Sequence, residues 1–161
     1  MSNPIINTIR DRFPALSQQV YGKNLVYLDN AATSQKPDTV IALLNEMNSR
    51  TNANVHRAMY KLSDDTTALY ESARERVREF INAPTRENII FTSGTTASIN
   101  LVASSFGRRF LNKGDVVVIT GDSHHSNIVP WQLACKYAGA SVRVLPINDK
   151  GEWELDKFDD I

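Results

Sequence analysis

Two polar clusters in the sequence have residue types that suit a phosphorylated ligand. In the first, the apolar run of residues 89–92 ends near Gly94, which Thr95 and Thr96 follow. Apolar side chains then recur at helical spacing, so both threonines are expected in the first helical turn, where backbone N–H groups have no intrahelical partner. These groups and the helix dipole attract an anion, and glycine lets the backbone approach it. The cluster fits a phosphate cradle, and a plain βα connection would have the same pattern.

The second cluster follows the β-branched run of residues 116–120. It contains Asp122, Ser123, His124 and His125. In an open α/β sheet, ligands bind beyond the carboxyl ends of the strands. If the two strands are parallel neighbours, the hydroxyls of one loop and the imidazoles of the other face a common crevice. Such a crevice suits a phosphorylated aromatic cofactor.

Other chemistry fits these residues less well. Ser123 beside His124 is not a catalytic triad, because no Gly-x-Ser-x-Gly elbow is present. No His-x-x-x-His or paired-cysteine spacing supports a metal site, and we predict none. The residues considered for such a site are His56, Asp122, His124 and His125.

The composition is that of an ordinary soluble globular protein. The 161 residues include 18 basic and 18 acidic side chains, and 42% are hydrophobic. The balanced charge favours neither a nucleic acid nor a membrane surface as a partner. The amino terminus lacks a basic start followed by an apolar block, and no apolar run approaches membrane-spanning length, so a cytoplasmic location is expected. The single cysteine, Cys135, lies in a helical pattern and is predicted to be a small core residue.

The periodicity of apolar residues predicts alternating helices and strands. Ser63 is the expected N-cap of a long helix, and Pro37 is expected at the first position of another. From residue 89 onward the alternation predicts right-handed βαβ units in a mostly parallel sheet with helices on both faces. The chain ends in a helical pattern without a C-cap, which predicts that it stops within a domain. The predicted helices cover 4–13, 96–110 and about 127–138, and the predicted strands cover 25–28, 89–92, 115–120 and 141–146.

Five ordered motifs resemble those of a known enzyme family. The sequence Val-Tyr-Leu-Asp-Asn-Ala-Ala-Thr at 26–33 and the motif Asn-Val-His-Arg at 54–57 are two of them. The chain resembles the amino-terminal part of class V aminotransferase-like enzymes, which use pyridoxal 5′-phosphate (PLP). Within them it is most similar to group II (SUF-type) cysteine desulfurases and selenocysteine lyases. The other motifs are residues 35–37, 94–100 and 124–131.

The resemblance implies an incomplete α/β fold of the fold-type I PLP-dependent transferases. Residues 1–161 would form the amino-terminal segment and the first part of the large PLP-binding domain, with the remainder of the enzyme absent. The family's cofactor-binding lysine, its aspartate at the pyridine nitrogen and its sulfur-accepting cysteine match no position in this chain. A fragment of this kind is expected to be inactive alone.

The resemblance also assigns roles to individual residues. His124 would stack on the PLP ring and assist proton transfers, while His125 would be structural. Thr95 and Thr96 would hold the cofactor phosphate. Three residues would contact the substrate: Ala31, Ala32 and His56. Arg57 would lie at the substrate entrance or at a dimer contact.

The implied reaction converts L-cysteine to L-alanine and leaves a persulfide on the enzyme, for iron–sulfur cluster assembly. Its partners would be L-cysteine or selenocysteine, a sulfur-acceptor protein and a second subunit in a homodimer. The alternatives are a phosphate- or nucleotide-binding α/β module and another class V enzyme, such as a selenocysteine lyase or a kynureninase-like enzyme.

Two departures from the family pattern concern acidic residues. Ala97 stands where the family usually has glutamate, and Asp122-Ser123 precedes the histidines where a glutamate is common.

Overall fold

The computed structural model describes residues 4–161 and divides the chain into two compact units, Met1–Ile89 and Ile90–Ile161. The first unit is mainly helical, and the second alternates helices with parallel strands. Among the described residues, no helix is both long and apolar enough to cross a membrane.

The described residues of the first unit form three α-helices and a two-stranded antiparallel hairpin. Two hydroxyl side chains on the first turns of its longest helix are buried and fix the preceding loop. Ser63 Oγ donates a hydrogen bond to the carbonyl oxygen of Asn54 at 2.7 Å, and Thr66 Oγ1 bonds to the carbonyl oxygens of Thr51 and Leu62. The elements are α1 (Pro4–Arg10), β1 (Gln19–Val20), β2 (Lys23–Asn24), α2 (Asp38–Arg50) and α3 (Lys61–Phe80), with 3-10 turns at Pro14–Ser17 and Arg86–Asn88.

Three expectations for this unit are wrong. Residues 25–28 are not a strand: the ladder ends at Asn24, and Leu28 is 88% exposed. Ser63 is not an N-cap, because α3 begins at Lys61 and buries the Ser63 side chain in its first turn. Pro37 is the N-cap of α2 and not its first helical residue. A strand depends on a partner that supplies hydrogen bonds, which the pattern of residues 25–28 does not reveal.

The second unit contains a βαβ unit preceded by a helix. The two strands are parallel, with Val116 opposite Ser141 and Thr120 opposite Leu145, as the alternation predicts. Each of the four elements contributes a buried residue to the core: Ala103, Ile119, Cys135 and Leu145. The elements are α4 (Thr95–Phe110), β3 (Val116–Thr120), α5 (His125–Ala138) and β4 (Ser141–Leu145), followed by a 3-10 helix at Leu155–Asp160.

Residues 89–92 are not a strand, which corrects another expectation. In the described part of the chain β3 pairs only with β4, so this segment has no place in a sheet. The helix that follows begins at Thr95, one residue before the predicted start, and α5 begins two residues early at His125. α4 packs closely on α5 at Gly107. A Cβ atom at this position would lie only 3.0 Å from the Cβ of Ala134.

Candidate functional site

The first polar cluster forms the amino terminus of α4. Its N-cap is Gly94, whose φ of 146° lies in a region that L side chains rarely adopt. The hydroxyl of Thr92 contacts the carbonyl oxygen of Gly94 at 3.1 Å and Ser98 Oγ at 2.7 Å. The N-cap side chain that usually satisfies the first N–H groups is therefore missing from this helix.

The backbone of α4 leaves its first donors available. The Ser98 N–H donates to the carbonyl oxygen of Gly94 at 3.0 Å, so the N–H groups of Thr95 and Thr96 precede the first intrahelical bond. A Cβ atom built on Gly94 would meet no atom within 4 Å, so the space over this turn is open. Uncapped N–H groups, two hydroxyls and open space together suit a phosphate.

The second cluster forms the amino terminus of α5, where His124 is the N-cap. Its Nδ1 accepts a hydrogen bond from the Ser126 backbone N–H at 3.2 Å and lies 2.9 Å from Ser126 Oγ. Because Nδ1 accepts, the proton of the neutral ring resides on Nε2. The ring of His125 lies edge-on to that of His124, with centroids 6.4 Å apart. The exposed ring of His124 is thus fixed through Nδ1, with its N–H at Nε2.

Hydroxyl and amide groups fix the loop between β3 and α5. Ser123 Oγ lies 3.1 Å from Thr120 Oγ1 and accepts a longer hydrogen bond, 3.5 Å, from Asn127 Nδ2. The N–H of Gly121 donates to the carbonyl oxygen of Leu145 on β4 at 2.9 Å. Ser123 therefore holds the loop together.

Asp122 has a partner that the sequence did not reveal. Trp153 Nε1 lies 3.3 Å from each of its carboxylate oxygens, although the residues are far apart in the chain. Hydrogen bonds from the Thr120 hydroxyl and from this indole hold the pKa of Asp122 below its usual value. The segment after β4 thereby contacts the loop that carries His124.

The expected substrate residues lie in the first unit. Ala31 and Ala32 are exposed in a turn in which the Ala32 N–H donates to the carbonyl oxygen of Asp29 at 3.2 Å. The hydroxyl of Tyr27 donates to the carbonyl oxygen of Thr33 at 2.6 Å and braces the same turn. The predicted small-residue turn is present, and it follows an irregular segment in place of a strand.

His56 is held on a strained backbone. Its φ is 60°, in the left-handed region, and its N–H donates to Thr67 Oγ1 at 3.1 Å. Its Nε2 lies 3.0 Å from a carboxylate oxygen of Glu71. The structure therefore places Thr95, Thr96 and His124 at helix amino termini of one unit, and Ala31, Ala32 and His56 in the other unit. Within residues 4–161, no cluster of three or more histidine, cysteine, aspartate or glutamate side chains could hold a metal ion.

Comparison with known proteins decides the family. The Aminotransferase class-V family matches residues 26–161, which is most of the chain. The chain belongs to the aminotransferase class-V family. The cysteine desulfurase of Synechococcus elongatus is 47% identical over 153 residues, which cover 95% of this chain and 24% of that protein. A probable cysteine desulfurase of Halalkalibacterium halodurans is 51% identical over 148 residues, covering 92% of this chain and 36% of that protein.

Solved structures of cysteine desulfurases have the same fold over 99% of this class-V chain. The enzyme from Thermococcus onnurineus has a TM-score of 0.84 with 34% identity, and the CsdA enzyme from Escherichia coli has a TM-score of 0.76 with 36% identity. This chain spans 38% of the length of each. The expected fold-type I architecture is confirmed for the part of it that this chain spans.

Cys135 of this class-V chain is a core residue, as predicted. It is 2% exposed, and its Sγ lies 3.5 Å from the carbonyl oxygen of Ser141. Burial raises the pKa of the thiol, which disfavours the reactive thiolate. The structure thus argues against Cys135 as a sulfur carrier.

We expect iodoacetamide to alkylate Cys135 on the order of tenfold or more slowly in the native chain than in urea, because reaction requires local opening. Mass spectrometry of the peptide that carries Cys135 measures both rates. Equal rates with and without urea would contradict the buried, protonated thiol.

Proposed function

We propose that this chain supplies the amino-terminal part of a cysteine desulfurase that removes sulfur from L-cysteine with PLP. The observation that carries the proposal is the uncapped amino terminus of α4 at Gly94 in a chain similar to cysteine desulfurases over almost its whole length. The domain assignment follows: residues 1–161 would be the amino-terminal segment and the first part of the large PLP-binding domain.

The donor set at α4 fits the phosphate of PLP. The backbone N–H groups and hydroxyls of Thr95 and Thr96 would hold the phosphate, and the lack of a side chain on Gly94 leaves room for it. PLP, when bound, supplies the electron sink for the reaction. The protein residues bind and orient the reactants and move protons.

His124 would act through Nε2. Its Nδ1 is occupied by the cap of α5, which fixes the ring and leaves Nε2 as the nitrogen that exchanges a proton. A flat imidazole at this position can also stack on an aromatic cofactor ring. The hydrogen bonds of Ser123 and Asp122 would hold the loop while the proton moves.

The first unit would contact the amino-acid substrate. The turn at Ala31 and Ala32 offers exposed backbone without bulky side chains, and His56 offers a fixed imidazole. We propose L-cysteine as the substrate, with selenocysteine as the alternative, L-alanine and a persulfide as products, and a sulfur-acceptor protein that serves iron–sulfur cluster assembly. The complete enzyme would be a cytoplasmic homodimer of the group II type.

A simple phosphate- or nucleotide-binding module is the second candidate, since α4 alone could bind a phosphate. A generic module has no need for the Ala31–Ala32 turn or for a strained His56. A direct test uses a hybrid protein, in which this chain replaces the matching amino-terminal part of the Halalkalibacterium halodurans relative, the remainder of which is kept. If this chain is part of a cysteine desulfurase, we expect the hybrid to form alanine from L-cysteine. If the chain is only a binding module, the hybrid would form none.

We expect Thr96→Val to lower the affinity of the hybrid for PLP by roughly 1–3 kcal/mol, since the change keeps the shape but removes one hydroxyl donor. Titration of PLP followed by absorbance measures the affinity. Ser104→Ala is the control, because this exposed hydroxyl of α4 donates to the Leu101 carbonyl away from the amino terminus. Equal PLP affinity in the valine variant would show that the hydroxyl does not contact the phosphate.

A further inference from the structure

The imidazole of His56 is fixed more firmly than a loop residue requires. Its backbone has a φ of 60°, and such a conformation persists in a non-glycine residue only where other contacts impose it. The contacts come from α3: the N–H of His56 donates to Thr67, and its ring lies edge-on to Tyr70 with centroids 6.0 Å apart. Nevertheless the side chain is 53% exposed. A side chain that is held in place and still open to solvent suits ligand contact better than packing.

Glu71 makes the contact that orients the ring. Its Oε1 lies 3.0 Å from His56 Nε2, and its own side chain is only 18% exposed. Arg74 Nη1 donates to both carboxylate oxygens, at 3.0 and 3.2 Å, and Arg86 Nη1 lies 3.6 Å from Oε2. Partial burial raises the pKa of Glu71, but the hydrogen bonds from Arg74 and His56 outweigh this and hold the pKa below its usual value. Glu71 is therefore an ionised acceptor.

An ionised carboxylate accepts hydrogen bonds and donates none, so the proton between the two groups belongs to His56 Nε2. The neutral ring then carries its lone pair on Nδ1. His124 presents the opposite arrangement, because its Nδ1 is occupied by the cap and its Nε2 is free.

We propose that Glu71 is a positioning residue for His56: it binds Nε2 and so presents Nδ1 as a hydrogen-bond acceptor toward a donor group of an amino-acid substrate. The role of the substrate in this statement rests on the proposed function, whereas the orientation of the ring does not. The groups that face His56 from α3 are Thr67, Tyr70 and Glu71, and Arg74 and Arg86 act on it through Glu71.

Carbethoxylation by diethyl pyrocarbonate tests the orientation of the His56 ring in the full chain, and this test requires no enzyme activity. The reagent attacks an unprotonated ring nitrogen, and it reacts faster at Nε2 than at Nδ1, because Nδ1 adjoins the ring carbon that bears the side chain. Glu71→Ala frees Nε2, so we expect His56 to react about fivefold faster, the factor for one hydrogen bond. Glu71→Gln keeps an acceptor oxygen and should restore the slow rate.

Peptide mapping by mass spectrometry gives the rate at each histidine. Glu79→Ala is the matched control, because it removes a carboxylate of the same helix. Among the described residues, Glu79 pairs only with exposed Arg76 and with Arg78, at 3.9 Å in each case. Unchanged rates at His124 and His125 show that the second unit is folded, and an unchanged circular dichroism spectrum shows that the helices of the first unit are kept. Should Glu71→Ala unfold, Glu71→Asp keeps the charge, withdraws the carboxylate by one methylene and should accelerate His56 in the same way.

Equal rates at His56 in the wild type, Glu71→Ala and Glu71→Asp would overturn the proposal, as would an equal acceleration by Glu79→Ala. In the hybrid, Glu71→Ala should raise the KM for L-cysteine more than it lowers kcat, and Glu71→Gln should recover much of the loss. A hybrid without any activity would contradict the proposed function and leave the carbethoxylation result to decide the role of Glu71.

Discussion

The His124→Ala hybrid is expected to form alanine from L-cysteine roughly 10²–10⁴-fold more slowly than the unmodified hybrid, the usual contribution of a general acid–base group. The reason is geometric: Nδ1 of His124 caps α5, so Nε2 is the nitrogen placed to exchange protons. The absorbance of bound PLP should shift as well, since the ring that would stack on it is removed. Alanine release under saturating L-cysteine and the absorbance spectrum measure the two effects.

His125→Ala provides the control for this variant. His125 is the first residue of α5 and lies next to His124, yet its ring does not cap the helix. We expect its loss to change turnover only a few-fold, as for a side chain outside the reacting groups. If His124→Ala retained the full rate and the same spectrum, the assignment of His124 to the cofactor would be wrong.

The chain alone, added to PLP and L-cysteine, is expected to release no alanine or sulfide above background. The three reacting groups of the resembled family are the cofactor-binding lysine, the aspartate and the sulfur-accepting cysteine, and none of them matches a position within residues 1–161. The one cysteine that the chain contains, Cys135, is buried with a raised pKa. Positioning residues without these groups cannot complete the reaction.

A heat-treated sample of the same chain sets the background for this assay. Sulfide can also be displaced by non-enzymatic chemistry of free PLP, so a sample with PLP and L-cysteine but no protein is needed. Turnover by the chain above both controls would show that residues 1–161 contain a complete catalytic set.

The helices and the βαβ unit could be predicted because their signals are local. Apolar spacing and the β-branched runs place α4, β3, α5 and β4 within one or two residues of their observed bounds. The runs at 25–28 and 89–92 have the same composition but are not strands in the described chain. A strand requires a partner strand that forms hydrogen bonds with its N–H and C=O groups, and the local sequence does not identify that partner.

The site could be predicted in part for the same reason. Glycine followed by two threonines indicates a helix start with free donors, and Thr95 is indeed the first residue of α4. The cap by His124 depends on side-chain orientation, which no pattern encodes. The pairs Asp122–Trp153 and His56–Glu71 join residues far apart in the chain, so only the folded structure reveals them.

The most direct test of the central claim is the rate of alanine formation by the hybrid with L-cysteine and PLP. We expect PLP-dependent turnover that falls when Thr96 is changed to valine and nearly disappears when His124 is changed to alanine. A hybrid that folds and binds PLP as tightly as the Halalkalibacterium halodurans relative, but forms no alanine, would contradict the claim that this chain builds part of a cysteine desulfurase site.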